Sequence, residues 1–166
     1  MKFNSQKIAV AAMIAAAYAV LTILFSFSSY GLIQYRIAEA LTILPAFSST
    51  YVFSIFIGCL VSNLLSPYGW LDILVGSLAS LIAAVLTYYI GKSNLKFKKY
   101  LAPIPPVIVN ALMVGGLLYY EQASPTLGLA IAQVGWGELV CAYGLGVLLY
   151  TFIEKKAQLK GLFQHN

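Results

Sequence analysis

The residues best suited to chemistry lie inside long apolar stretches of this 166-residue chain: the ionisable groups Arg36, Glu39, Asp72 and Glu138 and the amides Asn63, Asn110 and Gln133. A charged side chain at membrane depth costs about 3 kcal/mol on insertion scales, so it is a candidate for function. Amides donate and accept hydrogen bonds where every partner must be internal. Together these groups predict a polar binding site within the apolar segments.

Each of these residues also has a plainer explanation. Arg36 and Glu39 are three positions apart and can pair with each other on a helix. Asp72 can be a first-turn acid that the helix dipole favours, and the amides can simply join helices, at about 1 kcal/mol or less each. Nothing in the segment of Glu138 neutralises it, which makes Glu138 the strongest candidate.

The sequence offers little for covalent or metal chemistry. Cys59 and Cys141 fall in apolar segments without a CxxC motif, so we expect inert packing residues. The one histidine, His165, lies in the polar C-terminal tail. We therefore expect no catalytic residue, no metal site and no cofactor, which argues against an intramembrane enzyme.

The composition indicates that these groups are held by membrane helices. Hydrophobic residues make up 61% of the chain and charged residues 9%, with a mean hydropathy of +0.86, whereas soluble domains carry about 25% charged residues. Charged residues are absent from residues 8–35, 40–71, 73–91 and 100–120. Each stretch is long enough to cross a bilayer, which takes about 20 residues. The net charge of +5 comes from short lysine clusters, which favours topology signals over nucleic-acid binding.

We predict an all-α membrane bundle of six transmembrane helices in a single domain covering residues 1–166. Their expected bounds are about 7–28, 35–45, 50–65, 70–90, 103–120 and 127–154. Prolines and glycines mark the turns between them. The last segment is longer than one crossing needs, and we expect a bend or a broken start near Gly135 to Gly137.

Six crossings place both termini and nine of the ten basic residues on one side: Lys2, Lys7, Lys92, Lys96, Lys98, Lys99, Lys155, Lys156 and Lys160. The positive-inside rule makes that side cytoplasmic. Arg36 is the exception and falls on the outer side. Glu39 and Asp72 start helices there, and Glu138 lies roughly 15 Å deep at about 1.5 Å per residue. These groups can therefore converge in the outer half, near aromatic residues such as Tyr68 and Trp136.

Four stretches resemble one known family: residues 33–41 (IQYRIAEAL), 56–69 (FIGCLVSNLLSPYG), 71–79 around Leu71-Asp72-Ile73, and 105–111 (PPVIVNA). They resemble the QueT family of substrate-binding S components of energy-coupling factor (ECF) transporters, and the resemblance covers nearly the whole chain. It implies six membrane helices in the cell membrane and a site that opens outward. It also implies docking onto a module of one membrane scaffold and two ATPases.

The resemblance further implies a ligand and a docking surface. The family is assigned to uptake of the queuosine precursors preQ0 and preQ1, which are 7-deazaguanines. Helix one has small residues four apart at Ala12 and Ala16, a spacing that lets another helix approach closely. The resemblance implies that this face docks onto the partner module. The spacing alone fits an internal contact with another helix of the bundle equally well.

The ligand's chemistry suggests roles for the polar residues. A carboxylate accepts the adjacent N–H donors of a 7-deazaguanine, which suits Glu138, and Asn110 or Asn63 can serve the carbonyl oxygen. The aminomethyl cation of preQ1 would need an acidic partner, Glu39 or Asp72. Arg36 would then balance the charge of these acids or gate the site. Trp136 or Tyr68 can stack on the ring. The alternative function is a stand-alone secondary carrier or channel, which the missing inverted repeat argues against.

Overall fold

The computed structural model describes residues 5–156, whose regular secondary structure is helical with no β-strand. Lys2, Lys160 and His165, which entered the sequence argument, lie outside the described residues. The α-helices are α1 (Ser5–Leu24), α2 (Ser26–Ser29), α3 (Thr50–Asn63), α4 (Gly69–Lys92), α5 (Lys98–Leu101), α6 (Ile104–Tyr120), α7 (Leu127–Glu138) and α8 (Gly146–Lys155). A 3-10 helix spans Ile37–Ala46, and a π-helical segment, Leu139–Leu145, joins α7 to α8.

Four helical stretches are long and apolar enough to cross a membrane: Ser5–Leu24, Gly69–Lys92, Lys98–Tyr120 and Leu127–Lys155. The 3-10 helix and α3 are apolar but shorter. The chain is therefore an all-helical, multi-pass membrane protein by its described residues, and the structure does not by itself fix six crossings.

The second predicted helix, at about residues 35–45, is present as a different type of helix. It is a 3-10 helix that begins at Ile37, after Arg36 in an extended conformation. The chain turns sharply just before, where Gln34 has φ +52° and the Arg36 amide donates to the Gln34 carbonyl. A left-handed conformation is uncommon outside glycine, so this turn is a fixed feature that sets where the helix starts.

The irregularity in the last segment lies after the predicted position. Helix α7 is regular through Gly135 and Gly137, and the wider π turns begin at Leu139. A Cβ added at Gly137 would lie 2.0 Å from the Ile33 carbonyl oxygen. Gly137 is therefore a site of close packing against the loop before the 3-10 helix and not a bend.

The packing surrounds the 3-10 helix. It contacts α1, α3, α4, α8 and the π-helical segment, while α1 packs on α3 and α6 packs on α4 and α7. We call the main hydrophobic cluster the apolar core; its buried members are Ile14, Tyr18, Ala38, Ile43, Leu44, Tyr51, Val52, Ile55, Cys59, Ala84, Ala102, Tyr150 and Ile153. This packing holds the 3-10 helix against α3, α4 and the π-helical segment that follows α7.

Candidate functional site

The structure buries every ionisable residue that the sequence placed at membrane depth. Arg36 is 4% exposed, Glu39 and Asp72 are 0% exposed, and Glu138 is 3% exposed. Asn63 and Asn110 are buried with them. We call these six residues, Arg36, Glu39, Asn63, Asp72, Asn110 and Glu138, the buried polar cluster. The four charged groups lie close enough to interact electrostatically: Arg36 with Glu39 and Asp72, and Glu138 with Glu39 and Arg36.

Arg36 and Glu39 make the ion pair that their spacing allows, with 3.9 Å between Arg36 Nη1 and Glu39 Oε1. The guanidinium also lies over the Tyr30 ring, 5.6 Å from its centroid. The Tyr18 hydroxyl of α1 donates a hydrogen bond to the same Oε1 of Glu39. One carboxylate oxygen thus serves two partners, and Oε2 has none among the described residues.

Glu138 is paired with an amide and not with a cation. Thr126 caps the start of helix α7, where its hydroxyl accepts from the Leu129 amide. Glu138 is the last residue of that helix. Asn110, on the adjacent helix α6, donates from Nδ2 to Glu138 Oε1 at 2.9 Å. Glu138 Oε2 and Asn110 Oδ1 remain without a partner in the described chain.

Asp72 lies in the first turn of α4 but is not exposed at the helix end, which argues against a plain surface acid. Asn63 Nδ2, at the end of α3, donates to the Asp72 backbone carbonyl at 3.1 Å. Neither oxygen of the Asp72 carboxylate has a described partner. Asp72 is therefore the cluster carboxylate whose charge is least satisfied by the protein.

Cys59 packs in the apolar core and also contacts the buried polar cluster. Its sulfur lies 3.9 Å from Arg36 Nη1, 3.4 Å from Asn63 Nδ2 and 3.1 Å from Ser80 Oγ. Cys59 and Asn63 are four residues apart, which puts them on one helix face. Cys59 joins the Arg36 side of the cluster to the Asp72 side.

Two predicted aromatic residues lie at the edge of the cluster. Trp136 is 58% exposed, and its indole N–H donates to the Tyr35 hydroxyl at 3.1 Å. Tyr68 is half-buried in the loop before α4, and its hydroxyl donates to the Tyr30 carbonyl at 3.3 Å. Burial, together with the charge of Asp72, raises the pKa of Tyr68. The phenol is therefore neutral at physiological pH and able to donate.

The two alanines of the predicted docking face are exposed, on the outside of α1. The opposite face of α1 packs on α3 at Gly58, where an added Cβ would lie 2.8 Å from the Ala15 carbonyl oxygen and from Tyr18 Cβ. The internal contact thus uses Ala15, and Ala12 and Ala16 are left for another surface, lipid or protein.

Sequence reasoning missed Tyr18, Tyr30, Gln34 and Cys59. A signal for Tyr18 existed, since Tyr18 and Thr22 are polar, four apart and alone in an apolar run. Gln34 is buried with its Nε2 unpartnered in the described region, and no local pattern marks it. A separate cleft, lined by Tyr119, Tyr120, Gln122, Ser124 and Pro125, involves none of the cluster residues.

Comparison with known proteins agrees with these features. The family model of the QueT transporter matches residues 8–155. The queuosine precursor transporter QueT of Lactococcus lactis subsp. cremoris (strain MG1363) is 39% identical over 83 residues, which is 49% of this chain and 48% of the relative. The aligned part thus spans about half the length of that curated relative. No solved structure matches. With nearly all of its described helices inside the family match, the chain belongs to the QueT transporter family.

Proposed function

We propose that this chain is the substrate-binding S component of an ECF importer and that it binds a queuosine precursor, a 7-deazaguanine. Family membership and the name of the Lactococcus relative support a transporter of queuosine precursors. The observation that carries the proposal is the buried polar cluster, whose carboxylate and amide atoms lack partners within the described residues. Unpaired polar atoms are costly in a low-dielectric interior, and a polar ligand would supply the missing partners.

The ligand's base edge fits Glu138. Its ring N–H and exocyclic amine are adjacent donors, and Glu138 Oε2 is a free acceptor next to Asn110 Oδ1. Charge-assisted bonds to such a carboxylate are stronger than neutral ones. Glu138 is thus the proposed anchor, and Tyr68 is the proposed stacking residue.

The ligand's carbonyl oxygen needs a donor, and the structure narrows the choice. The amide of Asn63 already donates to the Asp72 carbonyl and to Cys59, so both of its hydrogens are used. Asn110 has one amide hydrogen left after its bond to Glu138. Gln34 Nε2 and two nitrogens of Arg36 are also free among the described atoms, and any of these donors suits the carbonyl.

Six crossings are consistent with the helix lengths. A 3-10 helix rises about 2.0 Å per residue, so Ile37–Ala46 covers roughly 20 Å, whereas ten α-helical residues cover roughly 15 Å. Its far end lies against the last turn of α4, where a Cβ added at Gly91 would be 2.2 Å from the Ala46 carbonyl oxygen. The short segment therefore runs along much of the bundle. We propose that it and α3 complete six spans with cytoplasmic termini.

Transport would depend on partners, since S components act with a shared scaffold and two ATPases. The exposed face around Ala12 and Ala16 is the proposed docking surface, where small side chains permit close helix approach. ATP hydrolysis in the partners would topple the loaded subunit to release the ligand.

Calorimetry on the purified subunit tests the binding half of the proposal. We expect saturable binding of preQ1 or preQ0 with one site per chain. Absence of binding of both compounds would contradict the assigned substrate class.

Uptake of labelled preQ1 into vesicles tests the partner half. We expect uptake only with the ECF module and ATP, and a large loss for Ala12→Trp. Leu112→Trp, on the exposed face of α6, is the matched control and should retain uptake. ATP-independent uptake by the isolated subunit would instead support a secondary carrier.

A further inference from the structure

The charges of the buried polar cluster do not balance. It contains three carboxylates, Glu39, Asp72 and Glu138, against one guanidinium, and all four groups are almost completely buried. The guanidinium of Arg36 lies within 4 Å of Glu39 alone among the described acids. Two carboxylates are left without a basic partner, a costly arrangement at membrane depth. A positively charged ligand would offset this excess.

The unpartnered hydrogen-bonding atoms of the described chain also favour a cationic ligand, because acceptors outnumber donors among them. Six of the unpartnered buried atoms in the described chain are acceptors: Glu39 Oε2, Asn63 Oδ1, both Asp72 carboxylate oxygens, Asn110 Oδ1 and Glu138 Oε2. Three are donors, Gln34 Nε2, Arg36 Nε and Arg36 Nη2, and the two hydroxyl oxygens of Ser29 and Ser77 can both donate and accept. A ligand that satisfies this set must present more donors than acceptors. An ammonium group supplies donors together with the missing positive charge.

The three carboxylates are not equivalent as partners for that ammonium. Glu39 has one oxygen occupied by Tyr18 and Arg36, and Glu138 has one oxygen occupied by Asn110. Asp72 has both oxygens free of described partners and is fully buried. Of the three acids, Asp72 is thus the one whose carboxylate has the fewest partners and is best placed to bind a cation.

The surroundings of Asp72 hold it in place without satisfying its charge. The Asn63 amide nitrogen donates to the Asp72 backbone carbonyl. The Asn63 side-chain oxygen, Oδ1, has no described partner and is a further acceptor. A Cβ added at Gly76 would lie 3.0 Å from Asp72 Oδ1 and 2.6 Å from Asn63 Nδ2. The missing side chain at Gly76 therefore lets the carboxylate and the amide lie close together.

We propose that Asp72 is the specificity-determining residue, which binds a positively charged aminomethyl group on a 7-deazaguanine. The inference rests on the proposed function and deepens it: the protein selects the aminomethyl compound, preQ1, over the neutral nitrile, preQ0. Glu138 and Asn110 bind the base edge that both compounds share, and Asp72 with Asn63 Oδ1 reads the substituent that differs.

Calorimetric titration of preQ1 and preQ0 into the purified protein tests this. We expect the unmodified protein to bind preQ1 at least about tenfold more tightly. In Asp72→Asn the preference is lost because preQ1 affinity falls while preQ0 affinity is unchanged. Glu121→Gln, at an exposed acid after α6, is the control and should keep the preference.

The outcomes separate the two proposals. Equal affinity for both compounds in the unmodified protein overturns the present inference and leaves the proposed function standing, whereas binding of neither overturns both. A preference that survives in Asp72→Asn also overturns the role of Asp72. The first comparison needs no substitution, so the inference stays falsifiable even when the variant fails to fold.

Discussion

The interior of this protein contains two neighbouring regions built on opposite principles. In the apolar core, residues such as Ile43, Ile55 and Ile153 are fully enclosed and carry no polar side-chain atom. In the buried polar cluster, enclosure is as complete, yet carboxylates and amides lack partners among the described residues. The same 3-10 helix contributes to both, with Glu39 near its start and Ile43 four residues later.

The contrast indicates which region stabilises the fold and which one does not. Close packing without voids stabilises the folded state through many small contacts. Unpartnered buried charges do the reverse, and replacing them with neutral groups is often neutral or stabilising. Substitutions in the two regions should therefore affect different measurements.

The largest effect on stability is expected from the apolar core. Ile55→Ala removes buried methyl groups, and we expect it to lower the free energy of unfolding by about 2 to 5 kcal/mol, measured by denaturation in detergent. Ile57→Ala, on the exposed face of the same helix, is the matched control and should cost less than about 0.5 kcal/mol. Equal losses in the two variants would remove the distinction between core and lipid-facing positions.

The next effect concerns binding alone. Glu138→Gln replaces a charge-assisted acceptor by a neutral one, so we expect preQ1 affinity to fall by roughly 10- to 100-fold in calorimetry. The melting temperature of the ligand-free protein should not fall, since an unpaired buried charge is removed. Unchanged affinity in Glu138→Gln would exclude this residue from the site.

A smaller effect should separate the two buried cysteines. Cys59→Ala removes the sulfur between Arg36, Asn63 and Ser80, and we expect a loss of preQ1 affinity of about threefold to tenfold, near 1 kcal/mol. Cys141→Ala is the control, because Cys141 is equally buried but outside these contacts. If both variants bind alike, Cys59 does not organise the cluster.

The smallest effect is expected at Trp136. Its ring is mainly exposed and bonded to Tyr35, so Trp136→Ala should change preQ1 affinity by less than about twofold, as surface substitutions usually do. The same calorimetric assay checks this. A loss above tenfold would show that the indole moves onto the ligand, as our sequence hypothesis of ring stacking requires.

The sequence predicted the helical membrane fold and the charged members of the cluster because both depend on composition. A carboxylate such as Asp72 in an apolar run is conspicuous wherever the helices lie. The 3-10 form of residues 37–46 was not predictable, because it depends on the sharp turn at Gln34 and on packing from several helices. Contacts between distant segments, such as Tyr18 with Glu39, also require the tertiary structure.

The 3-10 helix has one more consequence, which concerns its tolerance of altered length. With three residues per turn, Glu39, Thr42 and Pro45 fall in a single buried column. Loss or gain of one residue before Glu39 would rotate the column by a third of a turn and direct the carboxylate away from Tyr18. Sequence length in this segment therefore determines which side chain faces Tyr18, and we expect relatives to vary here by substitution and not by insertion.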